Sequence, residues 1–393
     1  MRALFSTQPG FGHLNPFLPY AIALREAGHE VLFASSASFA SAIEQHGFSC
    51  EPIGVDFTWE EVLAAFPEFM DAVRVGRRDE FAAFEIGWER WNPKAALDLF
   101  DLCDRWRPGV IVRELAENGA TFAGEMAGVP VVCASWGTLP LDAASWQMMF
   151  DWNRHLAFYE STRAALGLPA DTPGGAWRRQ PTFTVLPPSW FRRFDPDVVL
   201  RHFRMAPNEG TARAEPAWLV NLGRDRPFIY TTLGTVYNKS RRLRTRMLEV
   251  FADLDADVLM TVGRDVDPRE VREVPPNVRV ERYVPQSLLL DRASLVVSHA
   301  GFGTMLGAMY AGVPMVVIAI GADQPMNAQR ASELGLAVAI DYAEVTASRL
   351  HQAVETLLRD GSYHSTARRF RDECDAMAPV DDAVAALEQI AAR

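Results

Sequence analysis

From Ser298 to Asn327 the chain reads SHAGFGTMLGAMYAGVPMVVIAIGADQPMN, residue types suited to holding an anion beside a polar ligand. Leu295 to Ser298 is a short apolar run of the kind that fills a strand buried on both faces of a parallel sheet. Gly301 and Gly303 follow it without a Cβ, so the backbone can come close to a ligand. Thr304 opens a stretch of helical spacing that ends near Gly312. The free N–H groups of a helix start, the positive end of its dipole, the His299 ring and the Thr304 hydroxyl together suit a phosphate. Val313 to Ile320 is a second apolar strand, and just past it stand Asp323 and Gln324, an acceptor and a mixed donor and acceptor suited to sugar hydroxyls. Glycines after a strand also make plain tight turns, and the segment alone leaves both readings open.

The elements that must position these residues follow from the rest of the chain. Its 393 residues suggest two domains or more, and 49% hydrophobic with 23% charged residues is ordinary for a globular protein. A formal charge of −11 argues against a general nucleic-acid binder, which needs a basic face to neutralise phosphates. Cys50, Cys103, Cys133 and Cys374 lie far apart with no CxxC pair, which fits reduced thiols in a cytoplasm and implies no zinc site. The apolar run in MRALFSTQPG is too short for a signal peptide, and no stretch approaches the roughly 20 apolar residues of a membrane span, so a cytoplasmic protein is expected.

Short apolar strands alternate with amphipathic helices, the α/β pattern, in two series. The first begins with Ala3 to Thr7 as a strand, a turn at Gly10 and Gly12, and a helix with Leu14, Phe17, Leu18, Ala21 and Leu24 on its core face, closed by Gly28. Further strands are expected at 31–34, 109–112, 129–134 and 182–186, with helices at 95–105 and 119–127. Positions 187–217, rich in Pro, Arg and turn formers, mark a boundary. The second series starts at Phe228 to Thr232, passes a Gly234-Thr235 turn and a helix near Leu243 to Leu254, and reaches the opening segment.

Taken in order, four motifs resemble those of a GT-B glycosyltransferase of family one, above all the bacterial enzymes that attach deoxysugars to natural products of the antibiotic, macrolide or enediyne type. His13, after the Gly12 turn, resembles the catalytic histidine; Leu233-Gly234-Thr235 resembles the first phosphate turn; Tyr283-Val284-Pro285-Gln286 resembles the base-binding WxPQ; and His299 to Gln324 resembles the donor signature. The resemblance implies two Rossmann-like domains facing a central cleft: an acceptor-binding domain over 1–205, a linker over 206–217 and a nucleotide-sugar-binding domain over 218–374. The amphipathic tail, 375–393, would cross back onto the first domain, or else finish the second.

Transfer of a sugar to a hydroxyl requires a base, stabilisation of a leaving nucleotide diphosphate and exclusion of water. A neutral His13 can take the proton, with a carboxylate to hold its tautomer. Glu114, where the resemblance puts an Asp, is the candidate partner and Glu117 its competitor. Gly301, Gly303, Thr304, His299 and Thr235 would hold the diphosphate, with no metal and no cofactor. The DxD matches at Asp253 to Asp257 join a helix to a strand and read as a solvated turn. Tyr283 is suited to stack on the base, Val284 and Gln286 to line it. Gly307 stands where the resemblance puts a Glu in UDP-using members. Either glycine leaves room for a deoxyribose, which favours a dTDP-sugar over a UDP-sugar, or it packs against a neighbouring segment.

Two stretches rich in aromatics and methionine, Phe57, Trp59, Phe66, Phe69, Met70, Trp88 and Trp91, then Trp136, Trp146, Met148, Met149, Phe150, Trp152 and Phe158, read as core or as walls for a bulky hydrophobic acceptor. A phosphorylase would need a pyridoxal lysine, and neither Lys94 nor Lys239 lies near a phosphate corner. A catalytically silent partner of another glycosyltransferase would be expected to lack His13 or the phosphate corner. A nucleotide-binding oxidoreductase would need a third glycine after Gly10 and Gly12.

Overall fold

A computed structural model describes residues 1–56, 91–135, 137, 152–172, 175–191, 198–205, 215–234, 240–263, 266–321 and 323–393. Contacts divide the chain into two units, Met1–Asn208 with Met377–Arg393, and Glu209–Ala376.

The first unit begins with strand β1 (Arg2–Ser6), helices α1 (Phe11–Leu14) and α2 (Leu18–Glu26), β2 (Glu30–Ser35), α3 (Ala40–Glu44) and β3 (Ser49–Pro52). It continues with α4 (Asn92–Trp106), β4 (Val110–Glu114), α5 (Gly119–Ala127), β5 (Val131–Ser135), α6 (Trp152–Ala165), α7 (Gly175–Arg178), β6 (Thr182–Thr184) and β7 (Leu200–Arg204). The second contains β8 (Phe228–Thr232), α8 (Arg241–Ala252), β9 (Asp257–Thr261), β10 (Val278–Glu281), β11 (Leu295–Ser298), α9 (Phe302–Ala311) and β12 (Met315–Ala319). Then come α10 (Gln324–Glu333), β13 (Ala337–Asp341), α11 (Ala347–Arg359) and α12 (Gly361–Asp375). The tail, β14 (Ala378–Pro379) and α13 (Asp382–Ala391), returns to the first unit.

Each unit is built on one parallel sheet, with strand orders β14-β7-β6-β5-β4-β1-β2-β3 and β10-β9-β8-β11-β12-β13. The period of two along a strand sends alternate side chains to opposite faces, and β1 and β4 show it. Ala3, Phe5, Val110 and Val112 join a core with Phe17, with Leu18 and Leu24 of α2 and with Ala383, Ala386, Leu387 and Ile390 of α13. Leu4 and Ile111 face the other way, onto Ala95 and Leu99 of α4 and Ala120 and Ala123 of α5. The first sheet is therefore covered on both faces, which is why Ala3 to Phe5 of β1 and Val110 to Val112 of β4 are apolar without alternation.

Three local readings change. The helix expected from Leu14 onward is broken at Asn15 to Phe17, because Pro16 lacks an N–H and Pro19 favours the first turn of a new helix, α2. Leu14, Phe17, Leu18, Ala21 and Leu24 are all buried as expected, and Gly28 follows α2 at φ +83°. The boundary stretch 187–217 contains β7, which pairs with β6 at Thr182 and Leu200; its Arg and His content is tolerated because β7 lies near the sheet edge. Strand β4 extends through Arg113 and Glu114, which pair with Cys133 and Ala134 of β5, so Glu114 is the last residue of the strand itself. Among the described residues no helix is long and apolar enough to cross a membrane.

Candidate functional site

In both sheets the chain order reverses beside the first strand, between β1 and β4 and between β8 and β11. Open α/β sheets leave a crevice at the carboxyl ends of such a strand pair. The residues singled out from the sequence collect at these two places.

In the first unit, β1 is followed by the single turn α1, closed by backbone bonds from His13 and Leu14 to the Gly10 carbonyl. Leu14 is wholly buried and anchors the turn, whereas the His13 side chain is 27% exposed. His13 Nδ1 stands 3.1 Å from Oε1 of Glu114, whose side chain is fully buried. The same carboxylate accepts the Ala116 N–H at 2.5 Å and the Gln8 N–H at 3.4 Å. An ionised carboxylate at that distance favours the proton on Nδ1, leaving the Nε2 lone pair as the basic position. Gly12, next to His13, is exposed, and a Cβ there would meet nothing within 4 Å.

Glu117 does not compete for His13. Its Oε2 accepts the Ala120 N–H at 3.2 Å, and its carboxyl lies beside the Ser6 hydroxyl. Burial, reinforced by the charge of Glu114, pushes it up to about 7, against the pull of Ser6, Arg113 and the Ala120 N–H. Arg113 is a functional neighbour that the sequence did not reveal, since the groups that enclose it are brought to it only by the fold. It is 2% exposed, donates to Gln180 Oε1 at 2.8 Å and binds the carbonyls of Glu114, Leu115 and Glu117. Those bonds hold the turn that carries both glutamates. Of the aromatic stretches, Trp91 is buried in the core with Ile53 and Leu99, where Gly54 makes room for its ring, and Phe158 is half-buried. Phe57, Trp59, Phe66, Phe69, Met70, Trp88, Trp136, Trp146, Met148, Met149 and Phe150, and the side chain of Trp152, lie outside the described residues.

In the second unit His299 follows β11 and is 7% exposed. Its ring fills the space two glycines leave: a Cβ on Gly234 would fall 2.4 Å from Cε1, and one on Gly301 would fall 2.4 Å from Nε2. Gly301 thus admits the ring, and Gly303 has open space where its Cβ would be. Between the ring and Gly301, Ala300 takes a left-handed φ of +63°. That costs about 1 kcal/mol for a non-glycine residue. Ala300 is held there by its N–H to Ser298 Oγ at 3.3 Å and by Asn327 Nδ2 on its carbonyl at 3.2 Å. Burial lowers His299 to about 4 in spite of the Thr232 backbone bond that opposes it, so the free ring is neutral.

Helix α9 starts at Phe302 after Gly301 with no side-chain cap bond, and amides at such a start are of the kind that suits an anion. Gln286 donates to Thr304 Oγ1 at 3.2 Å, joining the Tyr283 to Gln286 segment to the helix start. Tyr283 is 48% exposed and Val284 is buried beside it. At Gly307 a Cβ would lie 2.8 Å from Leu290 Cδ1 and 3.4 Å from Gln286 Oε1. Asp323 accepts from Asn327 Nδ2 at 2.6 Å. Gln324 spends its side-chain oxygen on the N–H groups of Ile320 and Gly321, so what it can offer a sugar is its amide donors. Asp257 of the DxD segment accepts from Arg226 and from the Gly223 N–H. Thr235 lies outside the described residues.

Residues 22–233 match the family described as "Erythromycin biosynthesis protein CIII-like, N-terminal domain", and residues 245–390 match the corresponding C-terminal domain. The chain is 30% identical to 4'-demethylrebeccamycin synthase of Lentzea aerocolonigenes, over 98% of this chain and 99% of that one. It is 25% identical to 3-alpha-mycarosylerythronolide B desosaminyl transferase of Saccharopolyspora erythraea, over 100% of this chain and 99% of that one. Among solved structures, the glycosyltransferase VinC in complex with dTDP superposes with a TM-score of 0.76 over 100% of both chains at 24% identity, a likeness of fold.

Two outcomes follow from the His299 corner. Gly301 has ordinary backbone angles, φ −63° and ψ 133°, so Gly301→Ala adds only a clash with the ring. It should cost about 1–3 kcal/mol in urea unfolding, and that cost should largely vanish in a His299→Ala background, as a double-mutant cycle would record. A folded value near 4 against 6.5 means the unfolded chain binds more protons between those limits. The stability His299 contributes is therefore complete above about pH 6.5 and lost as pH falls through about 4, on the order of 3 kcal/mol. Melting curves across that window should flatten in His299→Asn.

Proposed function

The chain belongs to the erythromycin CIII-like family of nucleotide-sugar-dependent glycosyltransferases of the GT-B fold and antibiotic-biosynthesis type, and within it we propose an inverting enzyme. It moves a deoxysugar from a dTDP-sugar to a hydroxyl of a bulky hydrophobic natural-product aglycone. The observation that carries this reading is His13 held 3.1 Å from a fully buried carboxylate at the switch point of the first sheet.

The acceptor oxygen attacks the anomeric carbon from the face opposite the diphosphate. A carbon–oxygen bond forms there as the bond from that carbon to the phosphate oxygen breaks. The hydroxyl proton passes to His13 Nε2, Glu114 stabilises the resulting imidazolium, and the electron pair leaves with dTDP. On the donor side the open amides at Gly303 and Thr304 and the positive end of α9 stabilise the charge on the diphosphate. These groups supply the positive field, and the proposal assigns no metal and no cofactor. Asp323 and the amide of Gln324 are the proposed sugar contacts, and Tyr283 the surface for the base.

The donor assignment rests on position 307. A glutamate there would carry its Cβ within 2.8 Å of Leu290 Cδ1 and would need that leucine side chain to move, whereas the glycine present offers no carboxylate to grip a ribose 2′-hydroxyl. The dTDP bound to VinC is consistent with a donor that lacks this hydroxyl. The desosaminyl transferase among the relatives supports a deoxysugar.

His13→Ala should lower the rate of transfer by about 10²- to 10⁴-fold while dTDP affinity stays within about twofold, and full activity in that variant would overturn the assignment of the base. By calorimetry, dTDP should bind more tightly than UDP to the wild-type protein; tighter UDP binding would make a UDP-sugar the donor.

A further inference from the structure

Glu117 is a buried carboxyl that the displacement step does not use, three residues beyond one that it does. Both side chains are fully shielded from solvent, and Glu114 already has His13 and two backbone N–H groups around it. The groups facing Glu117 can be named from each element packed against it among the described residues. Strand β1 presents Ser6, β4 presents Arg113 and Glu114, and α5 presents the Ala120 N–H. Helix α4 presents Ala95 and Ala96 across the space that Gly119 leaves open, next to Glu117 Oε1. Behind β4, the buried thiol of Cys133 sits in the field of Arg113 and Glu114. Arg113 is the cation of this set, and its guanidinium hydrogen-bonds to Gln180 and to three backbone carbonyls. Glu117 Oε1 and Ser6 Oγ are buried without a hydrogen-bond partner among the described residues, and Ser6 is near enough to act on the Glu117 carboxyl.

We propose that Glu117 is a positioning residue for the His13–Glu114 pair, acting through Glu114: it keeps its own proton in the dry pocket beside Ser6, so that Glu114 carries the negative charge set against His13. Two carboxylates in one dry pocket with one cation cannot both ionise at little cost, and Glu114 has the better set of donors. When Glu117 does lose its proton, the second negative charge makes His13 hold its own proton more strongly. The burial that pushes Glu117 up to about 7 puts that event in the range where the enzyme would work. The inference rests on the reading of His13 as the base, but its chemistry can be followed in the free protein without turnover.

The His13 ring, followed by NMR of histidine-labelled protein, should show its own titration step and a further inflection near about pH 7 that reports Glu117. Glu117→Gln should remove that inflection and change the ratio of kcat/KM between about pH 8 and pH 6 by about twofold or more. A merely structural role would shift the melting temperature and leave the His13 curve in place. Ser6→Ala, which removes a bond that lowers the Glu117 value, should move the inflection to higher pH and keeps the test open if the glutamine variant fails to fold. In wild type, the infrared carbonyl band of a buried protonated carboxyl should be present at about pH 6 and lost by about pH 8.5. No such band at the lower pH, or His13 curves identical in wild type and Glu117→Gln, would overturn the proposal and leave the glycosyl-transfer reading untouched. Transfer surviving in His13→Ala would instead sink that reading.

Discussion

Strands that lie parallel all end at the same edge of the sheet, and each connection must cross a face before the next strand begins. When the strand order grows outward from the first strand in both directions, the connections on its two sides leave in opposite directions and the space between them stays uncovered. Both units have that order, so each has one uncovered place, beside β1 and β4 or beside β8 and β11. His13 and Glu114 occupy the first, Gly234 and His299 the second. The reactive groups are not scattered over loops that need independent positioning. Glu114 is the last residue of β4 and His299 follows β11 directly, while His13 is carried by the single turn α1 that Leu14 anchors in the core.

The first site is built around charge that has been taken out of water. Glu114, Glu117 and Arg113 are all buried, and burying an ion costs several kcal/mol unless it is paired and hydrogen-bonded. Glu114 meets the condition through His13, Gln8 and Ala116, and Arg113 through four oxygen acceptors. Glu117 meets it poorly, and burial turns it toward the neutral acid. The arrangement sacrifices stability for orientation, since a carboxylate fixed by backbone N–H groups cannot follow solvent and stays aimed at the imidazole.

The second site depends on space rather than charge. Gly234 and Gly301 are needed because the His299 ring lies where their side chains would be, and Gly307 because Leu290 does. The strain at Ala300 is carried by Ser298 and Asn327, which fasten its backbone from both sides. With those contacts in place, the start of α9 retains free amides, and Gly303 keeps the open space beside them.

Much of this was legible along the chain, because some constraints act locally. Apolar runs of strand length, the glycines after α2, α5 and α9 and the glycine-rich turn after β11 are dictated by backbone geometry and by the need to bury strands on both faces. They placed the two series and nearly every residue of both corners. Sequence periodicity failed where the deciding partner is distant. Arg113 carried no signal in the sequence, because Gln180 and the turn carbonyls that enclose it are brought to it only by the fold. Gly301 read as room for a ligand, and the fold sets the His299 ring against it. Glu114 was the candidate and Glu117, three residues on, its competitor, and the closing of β4 against β1 brought the first to His13 and set the other beside Ser6. The order of residues thus determined which chemical groups stand at the ends of which strands. Tertiary structure decided which of them touch, and which buried carboxyl keeps its proton, because contact and desolvation depend on neighbours that the local sequence does not contain.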